Sequence, residues 1–335
     1  MKHDYAMQLV HHLELEYDLS VQQILPAKRG FFGETWKIKT DKSDYFVKID
    51  YWEYHKQSYQ NSLSVIQYLT DCGIAFVPKI IKTKKGALFC YFRKGVVAVS
   101  EYVKGENRED YTVEQLFDCL AQIYKLKCGN MQVKVESFGE QIVTDFNQLR
   151  DAVSFSPAIT QAIEQKSAMI SSYAERLNHL SEICCRDLSN FHITHGDAGG
   201  NCIWNGEQFF VVDWDSVKLA PIERDAWFFI CNSNQLLTIN DVIQKYKLCY
   251  TLKQERLCYY CYYSFFYYLT EYLKSFLWAR RDRQKQYISE SLIKYLTQSW
   301  IYKRLGTADL FDGKSEEHSL KNQKNVIVWG GNEDE

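Results

Sequence analysis

The chain lacks a net charge of either sign. Its 40 Lys and Arg stand against 42 Asp and Glu over 335 residues, a formal balance of −2. Without an overall field there is no global pull toward nucleic acid or anionic lipid, so any phosphate site has to be local. A basic stripe is also missing, which sets aside a nucleic-acid binder. A long aliphatic run is absent too. The stretch LCYYCYYSFFYYLTEYLKSFLW at 257–278 is built on Tyr and carries Glu271 and Lys274. Charges of that kind are costly in lipid, so it reads as a core helix, and no membrane association is expected. The N-terminal MKHDYAMQLVHHLELEYDL has acids and histidines where a signal peptide needs an apolar core, so the expected compartment is the cytoplasm. The 11 cysteines lack metal-site spacing: Cys184 and Cys185 are adjacent, and Cys258-x-x-Cys261 has no second pair. Reduced thiols are the expectation.

What is present is an ordinary globular balance, 46% hydrophobic and 24% charged, in a chain long enough for two domains. A helix is expected from about Tyr5 to Tyr17. The loop Ala27 to Glu34, with Gly30 and Gly33, leads into a hairpin of strands at 35–40 and 45–49. A helix at about Gln57 to Asp71 follows, then strands at Gly86–Phe92 and Val96–Tyr102. Val103–Asn107 reads as a linker. Beyond it the period is mostly helical, over 113–128, about 157–186, and several segments from 241 to 304. One island of strand interrupts, Cys202–Trp204 and Phe209–Val212, joined by an Asn205-Gly206 turn. From Gly313 onward the charged tail reads as mobile.

The strongest local signal is His195-Gly196-Asp197-Ala198-Gly199-Gly200-Asn201, then that hairpin, then Asp213-Trp214-Asp215. Phosphoryl transfer is mainly positioning and charge neutralisation. It needs a carboxylate to orient a hydroxyl and accept its proton, with an amide oxygen and another carboxylate for Mg²⁺, which prefers hard oxygen ligands. A tight hairpin brings Asp197, Asn201 and Asp213 side by side. Each alone is more often a turn former than a ligand. Flanking two apolar strands in this order, they point to chemistry.

The stretch ITHGDAGGNCIWNGEQFFVVDWDSVKLAPIERDAWFF resembles the catalytic core of the aminoglycoside phosphotransferase and choline kinase-like family. Its DWD, LAP and ERD run is most similar to the spectinomycin kinases. The resemblance covers about 193–230 closely and 24–105 more loosely. It implies an α+β, two-lobed protein-kinase-like fold: a small antiparallel-sheet nucleotide lobe over 1–103 and a larger, mainly helical catalytic and substrate lobe over 104–335. The implied reaction moves the γ-phosphate of ATP or GTP onto a hydroxyl of an aminoglycoside-, aminocyclitol- or amino-alcohol-like substrate. Asp197 is then the catalytic aspartate, and Asn201 and Asp213 bind magnesium. His195 supports the loop, Asp225 is a structural acid, and Asp215 is either a helper near the metal or a contact to a cationic substrate. Lys48 holds the α- and β-phosphates, and Gly30, Gly33 and Thr35 belong to the loop over them, where backbone N–H groups can approach. The Glu101 carbonyl and the Val103 N–H receive the nucleotide base.

Two departures from the family pattern stand out. Three residues, not four, separate Asp197 from Asn201, and no loop histidine or lysine lies between them. The helix glutamate that normally pairs with the strand lysine is replaced by Gln60, which can still hydrogen-bond Lys48. Glu53 substitutes only if the helix begins early. Such departures leave room for a non-catalytic relative, a kinase-fold scaffold of the spore-coat kind. On the acceptor side, Tyr259 and Tyr260 stand where family members with cationic substrates carry acids. They either fill a helical core or wall a pocket that binds an amine through cation–π attraction. A monomer or homodimer acting on a small molecule is the expected assembly.

Overall fold

The structure, a computed structural model, describes residues 2–27, 33–107, 111–127 and 132–318. Two compact units make up the chain: Met1–Val135 with His192–Ala220, and Glu136–Phe191 with Pro221–Glu335. The boundary expected between 103 and 104 does not coincide with this division, because the first unit runs on and takes in the Asp197 loop and the hairpin after it.

In the first unit, α1 (Lys2–Glu16) precedes β1 (Val21–Pro26), β2 (Glu34–Thr40), β3 (Asp44–Asp50) and α2 (Glu53–Asp71). Then come β4 (Ile80–Ile81), β5 (Cys90–Phe92), β6 (Gly95–Glu101), β7 (Glu106–Asn107) and α3 (Val113–Tyr124). The later segment adds β8 (His192–Thr194), β9 (Cys202–Trp204), β10 (Phe209–Val211) and β11 (Lys218–Ala220). The main sheet is antiparallel, in the order β1-β2-β3-β6-β4, with β5 also on β6. Leu9 and Leu13, one turn apart on α1, pack with Tyr17 against Ile38, Val47, Ile49, Val97 and Val99 of this sheet. That spacing buries one stripe of the helix on one face of the sheet. α3 starts with a capping box, Thr112 and Gln115 each satisfying the other's backbone N–H. The expected linker is partly strand: Glu106 and Asn107 pair with Trp204 and Ile203 of β9. The β2–β3 and β9–β10 hairpins lie where the alternation placed them, and Gly206 takes a positive φ of 102° in the second turn.

The second unit is helical: α4 (Gln141–Ala152), α5 (Pro157–Gln165), α6 (Ser167–Cys184), α7 (Glu223–Ala226), α8 (Ser233–Lys245), α9 (Gln254–Trp278), α10 (Asp282–Gln298) and α11 (Ile301–His318). The tyrosine-rich stretch is α9, wrapped by α4, α6, α10 and α11. A helix that is apolar around its circumference is stable only when covered in this way. Its hydroxyls find internal partners, as in Tyr259 to the Gly139 carbonyl (3.1 Å) and Tyr262 to Asp309. Among the described residues no helix is long and apolar enough to cross a membrane, and the cysteines are all free thiols. The single helix expected over 157–186 is two, broken at Lys166, and α11 continues beyond Gly313 to His318.

Candidate active site

Lys48 lies on β3 opposite Thr35 of β2 and Ala98 of β6. The approach to β2 passes Gly33, whose φ of +76° and position 2.0 Å from the Ile49 carbonyl, measured from where a Cβ would sit, admit only glycine. Gly30 falls outside the described residues. Lys48 Nζ donates to Asp213 Oδ1 at 2.7 Å and to Asp215 Oδ2. Burial works against the ammonium, but the charges of Asp215 and Asp213 outweigh it and hold the Lys48 pKa above the ordinary lysine value. The two acids divide. Burial raises the pKa of Asp213, yet Lys48 more than reverses this and holds it below the usual carboxylate range. For Asp215 burial prevails over Lys48, with the Asp213 charge adding to it, and the pKa is pushed up.

The turn after β10 creates this arrangement. Asp213 is left-handed, φ 63° and ψ 58°, and opens a 3₁₀ turn over Trp214–Ser216. A non-glycine residue held there stores about 1–3 kcal/mol of strain, which folds tend to keep where it serves function. The turn is fixed by Trp214 Nε1 donating to the Val211 carbonyl (2.9 Å) and by Ser58 Oγ of α2 donating to the Asp215 carbonyl (3.3 Å). The loop before β9 lies beside it, since the Val212 N–H donates to the Asn201 carbonyl at 2.9 Å. His195, fully buried, ties the two together. It accepts from the Asp197 N–H on Nδ1 (3.2 Å) and pairs through Nε2 with the Val212 carbonyl (2.9 Å). That pattern assigns the neutral tautomer with its proton on Nε2.

The short Asp197–Asn201 connection is itself a 3₁₀ turn, Ala198–Gly200, and neither Gly199 nor Gly200 needs a positive φ. At Gly199 the reason is packing instead: the Tyr111 hydroxyl donates to the Gly199 carbonyl (2.6 Å) and lies 3.1 Å from where a Cβ would be. Asn201 Nδ2 donates to the Asp197 carbonyl (2.7 Å) and to Asp197 Oδ2 (3.2 Å), which turns its amide nitrogen inward on the loop. The donor set here is one amide oxygen and one carboxylate on adjacent backbone segments. That suits a hard divalent cation completed by phosphate and water oxygens, as Mg²⁺ usually is.

Gln60 and Lys48 are not brought together. The Gln60 amide donates to the Tyr91 hydroxyl at 2.8 Å. α2 does begin early, at Glu53, yet Glu53 is 84% exposed and pairs with Lys56. At the end of β6, the Glu101 N–H bonds the Lys79 carbonyl and the Tyr102 N–H the Asp44 carbonyl. Among the described residues the Val103 N–H has no partner. Tyr259 and Tyr260 lie in the other unit, both buried, with the Tyr260 hydroxyl 3.3 Å from Glu136. Neither is placed as a pocket wall: each ring is enclosed and each hydroxyl is used. Half-exposed tyrosines do occur on the same helix, Tyr263 and Tyr267, stacked at 6.4 Å. A further pair escaped the sequence patterns: buried Asp50 binds His55 and also accepts from the Trp52 N–H (2.8 Å), anchoring the start of α2.

A family model described as the phosphotransferase enzyme family, APH, matches residues 23–244. The chain belongs to this family. No curated protein matches the sequence. Among solved structures, spectinomycin phosphotransferase APH(9)-Ia in complex with ADP and spectinomycin is similar at 21% identity and TM-score 0.72, over 90% of this chain and 98% of that one. Choline kinase LicA from Streptococcus pneumoniae is similar at 12% identity and TM-score 0.54, over 88% and 100%. Amicoumacin kinase hAmiN in complex with AMP-PNP and Ca²⁺ is similar at 12% identity and TM-score 0.56, over 88% and 94%. The phosphotransferase thus has the two-lobed kinase-like fold, with a small antiparallel sheet and a larger helical part.

Proposed function

We propose that this phosphotransferase is a small-molecule kinase that transfers the γ-phosphate of ATP or GTP to a hydroxyl of an amine-bearing acceptor, an aminocyclitol, aminoglycoside or amino alcohol. The observation that carries the reading is the gathering of Lys48, Asp197, Asn201 and Asp213 in one compact unit, with Asp197, Asn201 and Asp213 flanking the β9–β10 hairpin and Lys48 reaching Asp213 from β3 of the main sheet. Residues 1–103 act as the nucleotide lobe and 104–335 as the catalytic and acceptor lobe. The Val103 N–H and the Glu101 carbonyl receive the base, while Gly33 and Thr35 bring backbone toward the phosphates. Lys48 binds the α- and β-phosphates. Asp197 orients the acceptor hydroxyl and takes its proton as the new O–P bond forms. The bond from the γ-phosphorus to the bridging oxygen then breaks, and the nucleoside diphosphate leaves. Asn201 and Asp213 would hold Mg²⁺, which supplies charge neutralisation on the phosphates. The similar structures, a spectinomycin phosphotransferase holding spectinomycin and a choline kinase, support an amine-bearing acceptor.

Thermal unfolding tests this. ATP or GTP with Mg²⁺ should raise the melting temperature, and Asp213→Ala should abolish the shift. No shift with either nucleotide in the unaltered protein would leave a kinase-fold scaffold as the better account. A panel of aminoglycosides, spectinomycin, choline and simple sugars, scored by nucleoside-diphosphate release, would then name the acceptor.

A further inference from the structure

A kinase-type lysine works when a fixed counter-ion keeps its ammonium charged and aimed, and in most members of this fold a helix carboxylate does so. Here α2 offers only two acids, Glu53 and Asp71. Glu53 is turned to Lys56, and Asp71 at the far end accepts from Gln67 at 2.7 Å. Gln60 is committed to Tyr91. No carboxylate of the helix reaches Lys48.

We infer that Asp215 is the positioning residue for Lys48, taking the place of the helix acid; the inference rests on the kinase reading above. Three observations carry it. Asp215 binds Nζ directly, and its side chain is 11% exposed whereas that of Asp213 is 43% exposed. The turn that carries Asp215 is clamped from two sides, through Trp214 to Val211 and through Ser58. Ser58 belongs to α2, so the helix still sets the lysine, through a hydroxyl on the turn's backbone instead of a carboxylate on the amine. An ammonium has three N–H donors, of which two carboxylates take two. When a triphosphate enters, the exposed Asp213 is free to turn toward a cation and release its share of Nζ to phosphate oxygen. The buried Asp215 stays, because an ion pair out of water is costly to break by removing one partner. On this view Asp215 is neither a metal ligand nor an acceptor contact.

The test is a double-mutant cycle on the full chain with Asp215→Asn, Lys48→Met and both together. The first readout is the dissociation constant for ATP in EDTA, where no metal contributes. Asp215→Asn should weaken metal-free ATP about tenfold, the scale of coupling within one ion-pair network. The same change should add nothing in the Lys48→Met background. The second readout is the Mg²⁺ concentration for half-maximal turnover, which Asp215→Asn should leave unchanged. Equal losses in both backgrounds, or a raised Mg²⁺ requirement with unaltered metal-free binding, would overturn the inference. If Asp215→Asn does not fold, Asp215→Glu keeps the charge while displacing it and is put through the same cycle with the same expectations. Failure of the unaltered protein to bind any nucleotide would instead sink the kinase reading.

Discussion

The two units bury polar groups in different ways. In the helical unit, Glu223 accepts from the Tyr250 hydroxyl and from the Lys253 N–H at 2.5 Å, and Arg256 Nη1 reaches the same hydroxyl at 3.1 Å. Glu136 accepts from its neighbours' N–H groups at 3.1 and 3.3 Å and from Tyr260. Both networks close on themselves. Among the described residues of this unit the exceptions are Glu271, bonded to Lys274 through one oxygen only, and the buried Asn178 Oδ1. In the sheet unit, Lys48, Asp213 and Asp215 put two carboxylates on one amine and leave Asp213 substantially open. A closed network holds a fold together, whereas an open one with surplus negative charge is arranged for something that has yet to arrive. The difference teaches where to look for chemistry.

The largest effect should come from the open side. Asp197→Ala is expected to keep the Mg²⁺-nucleotide melting shift while turnover falls by about 10²–10⁴, the usual worth of a positioned acid–base group. Nucleoside-diphosphate release at saturating nucleotide measures it. Unchanged turnover would show that the proton goes elsewhere and would break the contrast at its base.

Next comes the closed side. Glu223→Ala strips the partner from Tyr250, from the Lys253 N–H and from the charge on Arg256, so about 3 kcal/mol of stability should go. Denaturant unfolding reads the loss. The KM for nucleotide in the protein that stays folded should not move. A nucleotide KM that rises with the stability loss would mean that the closed networks reach the chemistry as well.

How much of this was legible in the sequence follows from range. The β2–β3 and β9–β10 hairpins announce themselves through alternation and a turn over a short stretch of chain, and with them come Lys48, Asp197, Asn201 and Asp213. Asp215 was visible as an acid, but its partner lies 167 positions away, beyond any periodicity. The same holds for Gln60, whose amide meets Tyr91 across 31 positions, and for β7, which pairs with β9. Three-residue strands such as β8 and β11 are too short to show a period. In α9 the aromatic residues run so continuously that no face stands out, so which tyrosines are enclosed was unreadable until α4, α6, α10 and α11 were in place around it.

That helix sets the smallest and most discriminating test. Tyr260 is 2% exposed and its hydroxyl reaches Glu136 at 3.3 Å, a long contact to an acid that already has two N–H donors. Removing the hydroxyl while keeping the ring should therefore cost only about 1 kcal/mol. Tyr260→Phe is expected to lower the unfolding free energy by that amount and to leave the KM for every acceptor unchanged. A core residue and a cation–π wall differ here in a second variant, Tyr260→Leu, which removes the aromatic face while keeping an apolar side chain. Its stability loss should be larger, again with no change in acceptor KM. If an amine-bearing acceptor bound more weakly to the Leu variant than to the Phe variant, while a neutral sugar did not, the ring would be facing substrate and the enclosed state would be only one of its conformations.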